Sequence, residues 1–224
     1  MTDETTHRPE VAVFDINGTL IEKNVGVTFV KHLFFRGRMR WLTVVKILLL
    51  YPWVRLGLLD FRYAILMGGW ALDGLTPEQA RQEADLCFEE TMRHRLYKKG
   101  LEEIAACRAC GMRIVLATGG VASIARPFGR LVQADDVIAA ESEQHHGRLG
   151  PKLQQPIPYQ EGKRDQVLAH IKEAVGDSAR ITFYTDKAKD LPLLEAVDVP
   201  VAVNADDALV RYVKGRGGRV VFFV

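Results

Sequence analysis

Two apolar runs in this chain end on an aspartate: Val11-Ala12-Val13-Phe14-Asp15 and, later, Phe183-Tyr184-Thr185-Asp186. Short apolar runs of this kind read as buried strands of a parallel sheet, and in open α/β sheets ligands bind beyond the carboxyl ends of the strands. Asp15 therefore stands at the edge where chemistry is expected. Gly18 lets the backbone turn sharply and approach a ligand, and Thr19 offers a hydroxyl. A third run, Val115-Leu116-Ala117, ends on Thr118-Gly119-Gly120. A hydroxyl followed by backbone N–H groups at a helix start suits a phosphate. Lys163 opens another helix, and Asp190 follows Asp186 by one turn. Each signal has a plainer reading when taken singly. Asp15 is then a turn or helix-capping residue, Lys163 part of a solvated face, and Asp186 and Asp190 the start of a capped helix.

Together, and in this order, the four stretches resemble the motifs of the haloacid dehalogenase superfamily. Val11–Leu20, with Asp15-Ile16-Asn17-Gly18-Thr19-Leu20, resembles motif I; Val115–Gly120 resembles motif II; Glu161-Gly162-Lys163 resembles motif III; Phe183–Glu195 resembles motif IV. The resemblance implies a nucleophile at Asp15, phosphate binding by Thr118, Gly119, Gly18 and Lys163, and an aspartyl-phosphate intermediate. It also implies Mg²⁺ held by Asp15, the Asn17 carbonyl and Asp186, with Asp190 behind them. Mg²⁺ takes hard oxygen ligands, so this donor set is chemically consistent. The expected activity is that of a Mg²⁺-dependent phosphomonoester hydrolase.

One position departs from the family pattern. Asn17 stands where the family carries its general acid/base aspartate, and an amide neither protonates a leaving oxygen nor activates water. Loss of such a group typically costs ~10²–10⁴-fold in rate. Three explanations are compatible with the residues: a variant made to slow turnover; a substrate with a good leaving group, or a catalytic group supplied by the cap or the substrate; or a non-hydrolytic protein that binds a phosphorylated ligand or acts on something else. Lys187 and Lys189 also flank the motif IV acids. They suit a more anionic ligand, replace part of a metal's charge, or lie on a surface loop.

The elements needed to position these residues follow from periodicity. Strands are expected at Met112–Ala117, Asp136–Ala140, Ala179–Tyr184, Pro200–Asn204 and Val220–Phe223, with a polar hairpin over 141–150. Helices are expected over 101–110, 121–131, 162–174, 191–197 and 206–216. Alternating strands and helices give a doubly wound, Rossmann-type parallel sheet. After a loop over 22–26, the chain from Val27 to about Leu101 shows helical spacing only. Within it, Thr76-Pro77-Glu78-Gln79 signals a capped helix start running to about His94. The organisation expected is an α/β core of residues 1–23 and 97–224 with a helical cap of 24–96 inserted between motifs I and II. That placement resembles the phosphoserine-phosphatase-like branch of the superfamily.

Composition limits the alternatives. Three cysteines make no disulfide framework, which fits a reducing, cytoplasmic setting. Cys107 and Cys110 have redox spacing but lie in a helical stretch, and His145-His146 lies in a polar turn. Met1–Glu10 is polar and reads as a loose tail. The net charge of +2 favours neither nucleic acid nor membrane, and no nucleic-acid reading element follows from the sequence. The first half of the cap interleaves Arg36, Arg38, Arg40 and Lys46 with Phe34, Phe35, Trp41 and Trp53. Such a stretch suits a helix lying at a lipid headgroup boundary, or a bundle packed on itself and on a dimer partner. It is similar to caps of family phosphatases acting on lipid phosphates. The rival class is a catalytically silent family member that binds a phosphorylated ligand, a membrane surface or a protein partner.

Overall fold

The computed structural model describes residues 8–22 and 24–224. Strand β1 (Glu10–Phe14) lies at the middle of a six-stranded sheet. The others are β2 (Arg113–Val121), β3 (Asp136–Ala140), β6 (Arg180–Thr185), β7 (Val199–Val203) and β8 (Arg219–Val221), in the order β3-β2-β1-β6-β7-β8. Every pairing in this sheet is parallel. Val11, Ala12, Val13 and Phe14 are wholly buried, as a strand covered on both faces requires. Ala12 and Phe14 enter one hydrophobic cluster, Val11 and Val13 the other. This is the period-two alternation of a strand between two helical layers.

Helices α5 (Lys98–Ala109), α6 (Ala122–Leu131), α7 (Glu161–Val175), α8 (Leu191–Ala196) and α9 (Asp207–Gly215) complete the α/β alternation. Chain order runs outward from β1 in one direction and from β6 in the other, so the two strands flank the topological switch point. Phe14 is level with Leu116 on β2 and with Tyr184 on β6. The residues that follow these three therefore emerge side by side. β4 (Ser142–His145) and β5 (Arg148–Leu153) form an antiparallel hairpin. His146 and Gly147 make its turn at positive φ.

Between β1 and β2 every described regular element is helical. They are α1 (Val25–Phe35), α2 (Trp41–Arg55), α3 (Arg62–Leu72) and α4 (Pro77–Cys87), followed by a π turn (Phe88–Met92) and a 3-10 turn (Arg93–Arg95). Phe29, Leu33, Ile65, Leu72, Ala84 and Phe88 join the same cluster as Phe14 and Leu116. The inserted helices thus pack onto one face of the sheet. The Thr76–Gln79 capping box forms as its residues dictate.

Several boundaries differ from the sequence reading, each for a local reason. Helix α1 begins at Val25, inside the stretch read as a loop, because Asn24 caps it and Asn17 Oδ1 accepts the Val25 N–H at 2.7 Å. The helix expected to reach His94 leaves α geometry at Cys87, where the Thr91 hydroxyl donates to the Cys87 carbonyl at 2.6 Å. β2 continues beyond Ala117 to Val121, with a register shift across Thr118-Gly119-Gly120. Glu10, placed in the polar tail by sequence, starts β1; Met1–His7 lie outside the described residues. Cys87 and Cys107 are buried and Cys110 is exposed, all three as free thiols. Helix α2 packs on α3 but has no fully buried residue. No described helix is long and apolar enough to cross a membrane.

Candidate active site

Asp15 leaves the end of β1 almost fully buried, and its backbone N–H donates to the Tyr184 carbonyl at 2.9 Å. Its Oδ1 accepts from Lys163 Nζ at 2.8 Å. Lys163 stands in the first turn of α7, where Gly162 allows close packing: a Cβ there would lie 2.3 Å from the Ile157 carbonyl oxygen. The same ammonium donates to Asp190 Oδ2 at 3.0 Å, and that oxygen also accepts from Thr185 Oγ1 at 2.6 Å. Burial alone would lower the Lys163 pKa, but the facing charges of Asp15 and Asp190 outweigh it and push it up to about 12. Lys163 is therefore charged at any physiological pH.

Asp186 lies across the switch point from Asp15 and accepts from Thr19 Oγ1 at 3.2 Å. Gly18 has a φ of +85°, and a Cβ there would fall 2.0 Å from Asp186 Oδ2. Gly18 is thus required so that the Asp186 carboxylate can rest on the turn, and neither residue reaches the cavity wall described below. Burial and the nearby Asp15 charge raise the Asp186 pKa to about 6, against the opposing pull of Lys187 and Thr19.

Lys187 closes the group. Its ammonium donates to the Asn17 backbone carbonyl and lies 3.3 Å from Asp186 Oδ1 and 3.7 Å from Asp15 Oδ2. These are the three donors expected to hold Mg²⁺. Their oxygen chemistry suits that ion, but the space they enclose is filled by the ammonium of Lys187. Among the described residues no cluster of three or more His, Cys, Asp or Glu side chains stands elsewhere as a metal site. The residues present, with Lys187 among them, do not fit a divalent ion here.

Thr118 Oγ1 accepts the Gly120 N–H at 3.2 Å, so that N–H is satisfied within the chain. Gly119 is crowded by Ile65 of α3 and by the Pro158 carbonyl, which explains why it carries no side chain. Asn17 faces two ways: its carbonyl oxygen meets Lys187, and its side-chain oxygen holds the N-terminus of α1.

These groups line a cavity of about 780 Å³. Asp15, Asn17, Thr118, Gly119, Lys163, Lys187, Lys189 and Asp190 line it on the sheet side, and Asn24 and Lys31 add polar groups on the helical side. Val27, Val30 and Phe34 from α1, Ile47, Leu48 and Tyr51 from α2, and Ala64 and Ile65 from α3 supply an apolar wall. Lys189 Nζ rests 4.0 Å from the centre of the Phe61 ring. The structure therefore gathers Asp15, Asn17, Thr118, Gly119, Lys163 and Asp190 around one space, with Gly18 and Asp186 behind it. Sequence reasoning did not foresee the contacts of Lys187, the Thr185 bond to Asp190, or the Asn17 tie to α1. The two lysines were visible as departures from the motif, but a side chain's reach is not encoded in spacing.

Comparison with known proteins gives concordant results. The family model described as haloacid dehalogenase-like hydrolase matches residues 12–195. A protein named probable phosphatase from Mycobacterium tuberculosis is 24% identical over 221 residues, covering 95% of this chain and 75% of that one. A protein of unknown function from Bordetella pertussis superposes with a TM-score of 0.86 at 23% identity, covering 97% of this chain and all of the other. A probable phosphoserine phosphatase from Vibrio cholerae superposes with a TM-score of 0.67 at 16% identity, covering 97% of this chain and 61% of its own.

Proposed function

The chain belongs to the haloacid dehalogenase-like hydrolase family, and on that premise we propose that it is a phosphomonoester hydrolase acting on an amphiphilic phosphate at an anionic membrane surface. One observation carries the reading: a buried carboxylate paired with a buried ammonium opens, among further polar groups at the strand ends, into a cavity whose opposite wall, from α1, α2 and α3, is mainly apolar. A phosphoryl group fits the first part, and a hydrocarbon-bearing leaving group fits the second.

In this mechanism Asp15 attacks phosphorus. An Asp15–phosphorus bond forms while the bond to the leaving oxygen breaks, and that oxygen keeps the electron pair. Lys163 donates to Asp15 Oδ1, which orients the carboxylate, and offsets charge on the phosphoryl oxygens. Water then adds to phosphorus, phosphate leaves, and the Asp15 carboxylate is restored with one proton released to solvent. Asn17 cannot deliver a proton to the departing oxygen, and its side-chain oxygen is engaged by the Val25 N–H. Turnover is therefore confined to leaving groups that depart as stable anions, such as aryl or acyl oxygens. Ordinary alkyl esters are held but cleaved slowly. Mg²⁺, expected from the family resemblance, has no step in this scheme.

Support for the membrane comes from the inserted helices, which we read as a cap over the site. Trp41, Leu48, Leu49 and Leu56 of α2 and its C-cap are each more than half exposed. Large apolar side chains left exposed together along one helix suit an interaction surface. From Asn24 to Leu59 the chain carries six Lys or Arg residues and no Asp or Glu. Phe34, Phe35 and Leu48 belong both to the exposed patch and to the cavity wall, so the two are continuous. A basic, apolar surface leading into a phosphate site suits anionic lipid better than a second copy of the chain.

The test has two arms. Hydrolysis of an aryl phosphate by the protein, abolished in Asp15→Asn, supports the chemistry; no turnover by the protein or by Asn17→Asp, with folding intact, refutes it. Flotation with vesicles containing phosphatidylglycerol, but not with neutral vesicles, supports the surface. Association into dimers without vesicle binding assigns the patch to self-contact instead. A second reading rests on Asn17 itself: the protein binds the phosphorylated amphiphile and does not turn it over. Retained phosphate binding with no hydrolysis in either form selects it.

A further inference from the structure

The fourth strand-end motif carries a residue whose position is unexplained by the chemistry above. Lys187 follows Asp186 directly, in extended backbone (φ −125°, ψ 133°), and its side chain folds back over the switch point. Its ammonium reaches the Asn17 carbonyl, Asp186 Oδ1 and Asp15 Oδ2. An ammonium has three donors and no acceptor, and here three oxygens converge on it. With the ammonium bonded to the Asn17 carbonyl and lying 3.3 Å from Asp186 Oδ1 and 3.7 Å from Asp15 Oδ2, the space between these oxygens already holds a positive charge, which a divalent ion would have to displace.

We propose that Lys187 is a tethered replacement for the divalent ion, so that this chain binds the phosphoryl group of its substrate without a metal. The proposal rests on the phosphoryl site described above and extends it. Asp15 is bracketed by two ammonium groups, Lys163 on Oδ1 and Lys187 on Oδ2. A phosphoryl group approaching Asp15 would meet the ammonium of Lys187 beside Asp15 Oδ2. Lys189, two residues on, also lines the cavity. Lys187 and Lys189 together carry the two positive charges a divalent ion would bring. The site then keeps its charge balance toward a dianionic ligand. A lysine is a compact point charge on a flexible stem, suited to follow a phosphoryl oxygen during transfer. The Lys187 side chain is 40% exposed, so replacing it removes charge without opening the core.

The experiment measures binding rather than turnover. Inorganic phosphate is titrated into the protein, Lys187→Ser and Lys187→Met in EDTA and again with excess Mg²⁺, followed by calorimetry. Mn²⁺ binding is followed separately by electron paramagnetic resonance. The protein is expected to bind phosphate equally in both buffers and to show no Mn²⁺ site. Lys187→Ser is expected to bind phosphate roughly tenfold or more weakly in EDTA, to recover with Mg²⁺, and to gain one Mn²⁺ site. Lys187→Met, which keeps the bulk without the charge, is expected to lose affinity in both buffers. A one-to-one Mn²⁺ site in the unaltered protein, or phosphate binding that requires Mg²⁺, overturns the proposal and leaves the phosphoryl site standing. Phosphate binding under no condition, with the fold intact, overturns both.

Discussion

At the scale of single residues the site turns on two positions, Asn17 and Lys163. Asn17 has the location of an acid/base group but the chemistry of an amide. Restoring a carboxyl should restore proton transfer, because one oxygen would still accept the Val25 N–H at the distance Asn17 Oδ1 now does, 2.7 Å. Asn17→Asp is expected to raise kcat for an alkyl phosphate by about 10²-fold or more, and for an aryl phosphate by less; comparable gains for both would place the limitation elsewhere. Lys163 pairs with two buried carboxylates. Lys163→Met removes the ammonium shared by Asp15 and Asp190 and leaves Asp15 only the longer contact to Lys187, a loss of about 3–5 kcal/mol by the usual cost of breaking a buried pair. A denaturant midpoint unchanged in that variant would show the triad to be dispensable for stability. The clustering of Asp15, Lys163 and Asp190 was legible in the sequence because each follows a strand or lies near a helix start, where residue type and local pattern coincide. The partner of the Asn17 carbonyl was not legible, since it depends on how one flexible side chain folds back across 170 residues of intervening chain.

At the scale of elements the inserted helices are pinned by a charge cluster that no motif announced. Glu83 on α4 is buried and accepts from Arg38 at 2.6 Å and His32 at 2.9 Å, with Arg36 at 3.5 Å. It thereby ties α4 to α1 and to the turn that follows α1. Burial pushes the Glu83 pKa up, but Arg38 and His32 outweigh it and leave it lowered. A carboxylate lowered on folding adds stability that is present above its unfolded value of about 4.3 and is lost as pH falls through its folded value. Thermal melts should therefore show the unaltered protein losing stability below about pH 4, and Glu83→Gln should lack that component. Glu83→Gln should also be less stable at neutral pH, by about 1–3 kcal/mol. Equal pH slopes in the two proteins would exclude the cluster as the cause. Sequence periodicity located the helices here well, since Phe29, Leu33 and Ile65 recur at helical spacing and are buried. It could not reveal that α2 buries none of its apolar residues, because an apolar helix reads alike whether covered by protein or not.

At the scale of the whole molecule, a strand order that reverses between β1 and β6 opens a crevice, and the helices inserted after β1 roof it. On the proposed reading the phosphoryl group meets residues at the ends of the sheet strands and the apolar part of the ligand meets the insertion, so recognition of its two halves would be divided between the two layers. Such a division makes a quantitative demand. Each methylene that moves from water onto the apolar wall contributes about 0.8 kcal/mol when fully buried, or roughly fourfold in affinity. A series of n-alkyl phosphates, which Asn17 renders poor substrates and hence usable as ligands, should bind with a Kd falling about two- to fourfold per added carbon. The fall should stop once the chain outgrows the cavity of about 780 Å³. Replacing Ile65, which lines that wall, by Asn should flatten the series while leaving inorganic phosphate binding unchanged. Replacing Trp41 and Leu49, which lie on the exposed face of α2 outside the cavity wall, should abolish vesicle flotation while leaving the series intact. If affinity is indifferent to chain length, the apolar wall is a packing surface only, and the ligand is a small polar phosphate held by the sheet alone.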